Sequence, residues 1–373
     1  MRLGGIDTAR GIAMLLVCFA HFLLAVSYAT ANEFQPGLLL TITAVASPTF
    51  VIISGMTFGY LMARSREEPC RMRSWLINRA LLLLFPVHLL LLLAHITGGD
   101  GLPKAFSVIE ITDTIGLAML VNVWFVDMDS SVTSLAVAAV MFAGAWCLNF
   151  EWRPGAAVLV GFKDLLVRAA WDGKSLLHGF PLIPWASLHL AASVVGRRLS
   201  DMSRRASWTP LVKLTSRIGA IAVLTGVAVK LAEVAMMRTL VFDEATPLGA
   251  AIAVLVSPFG KYPPSPAYFL ICGGAGLVLL ASAFAAEQGG RLAPLTSRVA
   301  VLGRASLCAW VVQAWVYWAV VPRLPVPAGV WLPLYFIGTL ALVWSAAHLW
   351  DRNGWNRHLS LTFPRIASHR RRI

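Results

Sequence analysis

Hydrophobic residues run along this chain in blocks of about twenty, separated by shorter polar and basic segments. A block of that length crosses a bilayer core of ~30 Å as a helix. In lipid it must be helical, because its backbone groups have no water to bond. The pattern predicts helices at 11–30, 38–62, 76–96, 111–126, 131–150, 180–196, 217–236, 266–286, 305–322 and 328–349. No polar stretch is long enough to form a separate soluble domain. The expected fold is all-α: a polytopic integral membrane protein, a bundle of about ten transmembrane helices. One membrane-embedded domain spans 1–350, and a basic cytoplasmic tail spans 351–373.

Composition strengthens this reading. The 373 residues are 58% hydrophobic and 13% charged, with mean hydropathy +0.73. Soluble domains are nearer half apolar and one quarter charged. The net charge of +13 can mark a nucleic-acid binder. Here the Lys and Arg residues alternate with the apolar blocks, as the positive-inside rule demands, so the expected partner is membrane lipid and not nucleic acid. One side collects Arg2 and Arg10, the group from Arg64 to Arg79, the group from Arg197 to Arg217, Arg291 to Arg304, and the tail. The other side holds far fewer, among them Lys104, Lys163, Lys261 and Arg323. The bias places both termini in the cytoplasm, and the expected location is a bacterial inner membrane. The first block follows Arg2 and ends at Ala29-Thr30-Ala31, like a cleavable signal peptide. Its length and His21 favour a retained helix.

Cys18, Cys70, Cys147, Cys272 and Cys308 are odd in number and scattered. That spacing suits neither a disulfide framework nor a zinc site. No metal constellation, P-loop or dinucleotide fingerprint stands out. Two long outer loops, 151–179 and 237–265, carry Trp152, Trp171, Lys163 and Asp164, and then Asp243 and Glu244. Long irregular segments are more often functional than short turns.

The first helix holds the main candidate chemistry. Arg10 and His21 are eleven residues apart, almost three whole turns, so they share a face roughly 16 Å apart along the axis. Asp7 lies one turn before Arg10. An arginine at the cytoplasmic mouth can grip phosphates, and a deeper histidine can take a proton from a hydroxyl or amine. An ionisable residue at membrane depth is a functional candidate. The bland alternative is an anchoring Arg10 paired with Asp7, and a His21 bonded within the core.

The Asp7-x-x-Arg10-Gly11 opening and the Arg10-x10-His21 spacing resemble the acyltransferase 3 superfamily of membrane proteins. Ser47-Pro48-Thr49-Phe50 through Ser54-Gly55-Met56 resembles that family's phenylalanine-rich Ser-Gly segment, and Arg79 fits as well. Later segments resemble the heparan-alpha-glucosaminide N-acetyltransferase-like branch. These are Phe180-Pro181-Leu182-Ile183-Pro184-Trp185, Lys261-Tyr262-Pro263-Pro264-Ser265 followed by Tyr268, and Gly303-Arg304. The resemblance spans about residues 6 to 320. It implies a ten- or eleven-helix bundle that takes acyl-CoA, here acetyl-CoA, from the cytoplasm. It implies acyl transfer to a hydroxyl or amine of a sugar or glycan. It gives Arg10 and His21 the catalytic roles, and makes Arg10 and Arg79 the CoA-binding residues. Members often carry Asp before the histidine and a second histidine in the late helix. This chain has Ala20 and Gln313 there, which implies a changed rate, a changed acyl group, or a non-catalytic member.

Other polar residues have weaker claims. Trp185, His178, Lys261 and Tyr262 are candidate contacts to an acceptor sugar, with His189 beside them. His88 follows Pro86 and can bond a carbonyl that the proline frees. Glu110 and Asp113 suit a helix N-terminus. Lys230 and Glu233 read as an internal ion pair. Ser54 can relay an acyl group but has no base nearby in sequence, so Ser54-Gly55 reads first as helix packing. Gly273-Gly274-Ala275-Gly276 reads the same way. A glycan transporter or flippase is the alternative function. It would use Lys230, Glu233, His88 and His21 along a path, but the chain shows no paired halves of the kind transporters carry.

Overall fold

The computed structural model describes residues 4–30, 37–65, 68–125, 130–169, 176–204, 209–239, 261–289, 293–326 and 331–358. Trp171, Asp243, Glu244, the side chain of Glu233 and the end of the basic tail lie outside them. A helix stands at each predicted position. In chain order these are α1 (Gly4–Ala29), α2 (Gly37–Thr43), α3 (Ala46–Arg64), α4 (Pro69–Leu82), α5 (His88–Gly98), α6 (Leu102–Phe106) and α7 (Ile111–Asn122). Then come α8 (Ser131–Glu151), α9 (Ala157–Lys163), α10 (Leu182–Arg204), α11 (Thr209–Thr239), α12 (Gly274–Gly289), α13 (Ala293–Arg304), α14 (Ser306–Ala314) and α15 (Trp331–Arg352). A two-residue parallel pair, β1 (Val108–Ile109) with β2 (His178–Gly179), ties the connection before α7 to the one before α10.

Seven of the described helices are long and apolar enough to cross a membrane, and a bent pair makes an eighth. The bent pair is α13 with the run Ser306–Arg323, which meet at 71°. The sequence pattern missed α13 because Arg298 and Arg304 break its apolar run into what reads as a basic loop. Two expected spans differ in kind from the others. Helix α7 has 12 residues, a length of about 18 Å, too short to cross alone. Helix α10 has 23 residues but ends in Arg197, Arg198, Asp201 and Arg204, so its last turns are polar.

Local chemistry sets the boundaries. Ser130 caps α8, its hydroxyl accepting from the Thr133 N–H at 3.3 Å. Glu110 and Asp113 form a reciprocal capping box at α7, with Asp113 Oδ2 accepting from the Glu110 N–H at 2.9 Å. Helix α5 ends at Gly99, whose φ of 104° suits a residue without a side chain. Pro86 is absorbed by a wider turn over Leu83–Val87, so α4 and α5 continue as one span.

The centre is held by close backbone approach. Helix α3 packs along α10, where Gly55 and Gly59 face the carbonyls of His189 and Ser193, and Gly196 faces that of Met56. Helix α1 packs on α13, where Gly11 faces the Val299 carbonyl and Gly303 that of Asp7. Small residues permit such contact in lipid, where van der Waals packing replaces the hydrophobic drive. Gly274 meets Gly219 of α11 in the same way. Helices α8, α11 and α15 turn Leu, Val and Ile outward, as lipid-facing helices do. Arg304 Nε donates to Asp351 Oδ2 at 2.7 Å and pins the end of α13 to α15.

A methyl at Gly59 would strike the Ser193 backbone, whereas a methyl at Gly144 on α8 meets nothing within 4 Å. Gly59→Ala is therefore expected to destabilise by about 1–3 kcal/mol, and Gly144→Ala to be neutral or slightly stabilising. Thermal unfolding of the two variants in detergent checks this. Equal melting temperatures would contradict the packing described.

Candidate functional site

Arg10 sits on the second turn of α1 and reaches α3, its Nη2 donating to Thr57 Oγ1 at 3.4 Å. Thr57 Oγ1 in turn donates to the Ile53 carbonyl at 2.7 Å. Arg79, near the end of α4, comes to the same place, and both arginines line one cavity of about 260 Å³. Met14, Phe50, Phe58, Trp75, Leu83 and Trp310 supply apolar walls, and Ser54, Thr57 and Ser306 add hydroxyls. Two guanidinium groups over an apolar slot make a site for a ligand with an anionic head and an extended body.

His21 lies three turns deeper on α1. Its Nδ1 is 2.7 Å from Gln313 Oε1 on α14. An amide oxygen only accepts, so in this arrangement Nδ1 carries the proton and Nε2 presents a lone pair. That is the tautomer a base needs. Rings of Trp310 and Trp318 flank the imidazole at 5.9 and 5.2 Å. Trp310 belongs both to this cage and to the cavity wall, so it joins the arginine level to the histidine level. Gln313, where the resemblance led to the expectation of a second histidine, is thus the residue that orients His21.

Trp318 also stacks on His95, at 5.5 Å with planes 23° apart. His95 bridges two carboxylates, with Nδ1 3.0 Å from Asp100 and Nε2 3.1 Å from Glu110. Lys104 reaches the far oxygen of Asp100 at 2.6 Å. His88 pairs with Asp113 at 2.9 Å. The expectation that His88 bonds a freed carbonyl is replaced by this pair. Glu110 and Asp113 do cap α7, and they also hold two histidines of the α4–α5 span. His95 was legible only as a residue two turns beyond His88, on the same face.

The four acceptor candidates separate. Lys261 and Tyr262 stay together against Phe180, with the ammonium 5.1 Å from the Phe180 ring and 4.9 Å from that of Tyr262. Burial pushes the Lys261 ammonium down to about 8. His178 lies in β2, and its backbone N–H donates to the Ser107 carbonyl at 2.8 Å. Trp185 is a correction: it is fully buried among Phe180, Tyr268 and Phe269, so it has no open face for a sugar and serves the core. Among the described residues no group of three or more His, Cys, Asp or Glu is placed to hold a metal ion.

Residues 2–231 match the family model for heparan-alpha-glucosaminide N-acetyltransferase, catalytic. The match covers more than half of the chain, and the chain belongs to that family. It takes in Arg10, His21, Ser54, Arg79 and Trp185, while Gln313 and Trp310 lie beyond it. No curated protein matches the chain.

Histidine ¹⁵N NMR checks the His21 geometry. The parent is expected to show the Nδ1–H tautomer at His21, and Gln313→Leu to release it toward the Nε2–H form that free imidazole favours. An Nε2–H signal at His21 in the parent would contradict the assignment.

Proposed function

We propose that this member of the family is a membrane-bound acyltransferase that moves an acetyl group from acetyl-CoA to a hydroxyl or amine of a sugar. The observation that carries the reading is the cavity that gathers Arg10 and Arg79 at one end and reaches Trp310, beside His21, at the other. Its volume of about 260 Å³ is below the ~300–1,000 Å³ of pockets that enclose a drug-sized ligand. It suits the extended arm of a CoA thioester, with the nucleotide end at the basic mouth. The family's name points to the amine of an α-glucosaminide as the acceptor. The wider kinship with acyltransferase 3 proteins, carried by the Arg10–His21 spacing, is part of the same proposal. So are a single membrane domain over 1–350, cytoplasmic termini and a bacterial inner membrane.

The chemistry follows from the tautomer. Arg10 and Arg79 hold the donor's phosphates through charge-assisted hydrogen bonds. His21 Nε2 takes the proton of the acceptor hydroxyl or amine as that atom bonds to the thioester carbonyl carbon. The imidazolium keeps its Nδ1–H on Gln313. When the C–S bond breaks, Nε2 returns the proton to the departing thiolate. Lys261, Tyr262 and the carboxylates around His95 lie on the acceptor side of His21 in this scheme.

Purified protein in detergent is expected to bind acetyl-CoA and release free thiol. His21→Ala should lower the rate by ~10²–10⁴-fold with CoA binding kept. Arg10→Ala should weaken CoA binding about tenfold or more. A folded parent that binds no CoA and releases no thiol from any donor would overturn the reading.

A further inference from the structure

Ser54 lines the cavity beside Arg10, and behind it stands a chain of buried polar groups that the scheme above leaves unused. Ser54 Oγ is 3.3 Å from His189 Nε2 on α10. His189 Nδ1 is 2.8 Å from Asn122 Nδ2 at the end of α7. His189 and Asn122 are both wholly buried. The order Ser–His–Asn looks like the machinery of an activated nucleophile, but its polarity runs the other way. Asn122 Nδ2 also donates to the Ala186 carbonyl at 3.2 Å, which fixes the amide, because its oxygen cannot face another carbonyl. The nitrogen therefore donates to His189 Nδ1 as well. A neutral imidazole that accepts at Nδ1 carries its proton on Nε2. That proton goes to Ser54 Oγ, so the serine is an acceptor toward His189. Its own hydrogen has no partner among the described residues, and the half-buried hydroxyl opens on the cavity.

Position gives this donor its ligand. Thr57, one turn along α3, holds Arg10. Phe50, one turn the other way, meets the Trp310 ring at 6.0 Å, and Trp310 meets His21. Ser54 thus stands midway between the phosphate end and the reacting end, about 5 Å from each neighbouring marker along the helix. The part of an acyl-CoA at that level is the pantetheine arm, whose polar groups are two amides and one hydroxyl.

We infer that Ser54 is a donor-recognition residue whose hydroxyl gives a hydrogen bond to an amide carbonyl of the pantetheine arm, and that His189 and Asn122 are positioning residues that hold it in that direction. It forms no acyl ester. The inference rests on the acyl-CoA reading above and deepens it.

The test compares the parent, Ser54→Ala and Asn122→Asp with three donors: acetyl-CoA, S-acetyl-pantetheine, and an S-acetyl alkanethiol that has no amide. Ser54→Ala should raise Kd for CoA and KM for the first two donors roughly fivefold, and leave kcat/KM for the alkyl thioester unchanged. In Asn122→Asp the bond to the Ala186 carbonyl is lost, and the carboxylate, turned from that carbonyl, accepts from His189 Nδ1, so Nε2 turns a lone pair on Ser54 and draws its proton away from the cavity. The same selective loss is expected, with no gain in reactivity. The inference alone is overturned if the parent binds CoA and Ser54→Ala binds it equally well, if the loss extends to the alkyl thioester, or if acid-quenched protein carries an acyl group on Ser54. A folded parent that binds no CoA overturns the acyl-CoA reading, and this inference falls with it. If Asn122→Asp does not fold, Ser54→Ala alone decides, because its small change opens onto the cavity.

Discussion

Ionisable and polar groups at membrane depth must find partners, because an unmet polar atom in a low-dielectric core costs about 1–3 kcal/mol or more. The structure meets much of this demand in pairs between segments, while Gln313 Nε2, Asn122 Oδ1 and Asp113 Oδ1 are buried without a hydrogen-bond partner among the described residues. Arg10 bonds Thr57, His21 bonds Gln313, His88 bonds Asp113, His95 bonds Glu110 and Asp100, and His189 bonds Asn122 and Ser54. All but the local His95–Asp100 pair join different chain segments, so the polar groups also fix how the helices sit. The glycine seams serve the same end. They bring α3 against α10 closely enough for Ser54 to reach His189, and α1 against α13 beside the turn into α14, which carries Gln313.

From this constraint a direction along the site emerges. The basic mouth lies where the positive-inside rule puts the cytoplasm, and the mixed-charge cluster of Lys104, Asp100 and Glu110 lies toward the other end of the α4–α5 span. His21 stands between them, with Trp310 on the cavity side and Trp318 on the side of His95. A donor entering from one side and an acceptor from the other would meet at His21, whose free Nε2 follows from its bond to Gln313. That neutral amide puts no negative charge in direct contact with the imidazole, unlike a carboxylate partner. Gln313 orients the imidazole through a neutral contact.

Much of this was legible in the chain. Apolar block length gave the helices, and the eleven-residue spacing put Arg10 and His21 on one face. What the sequence did not show was pairing between segments far apart. Nothing local links Gln313 to His21, or Asn122 to His189, because their separations of 292 and 67 residues are closed only by helix packing. Ser54 seemed to lack a base for that reason, and the structure supplies an imidazole with the opposite polarity. Trp185 shows the converse error. A tryptophan just after a proline-rich turn reads as a contact to an acceptor sugar, yet its ring fills the space among Phe180, Tyr268 and Phe269. Helix α13 was missed because its apolar run is interrupted by Arg298 and Arg304.

The most direct measurement is a structure of the protein with a thioether analogue of acetyl-CoA, whose C–S bond cannot be cleaved. The account predicts the diphosphate beside Arg10 and Arg79, the arm passing Ser54 through the cavity, and the sulfur end between Trp310 and His21. An analogue bound elsewhere, or bound with its phosphates at the His95 end, would contradict it.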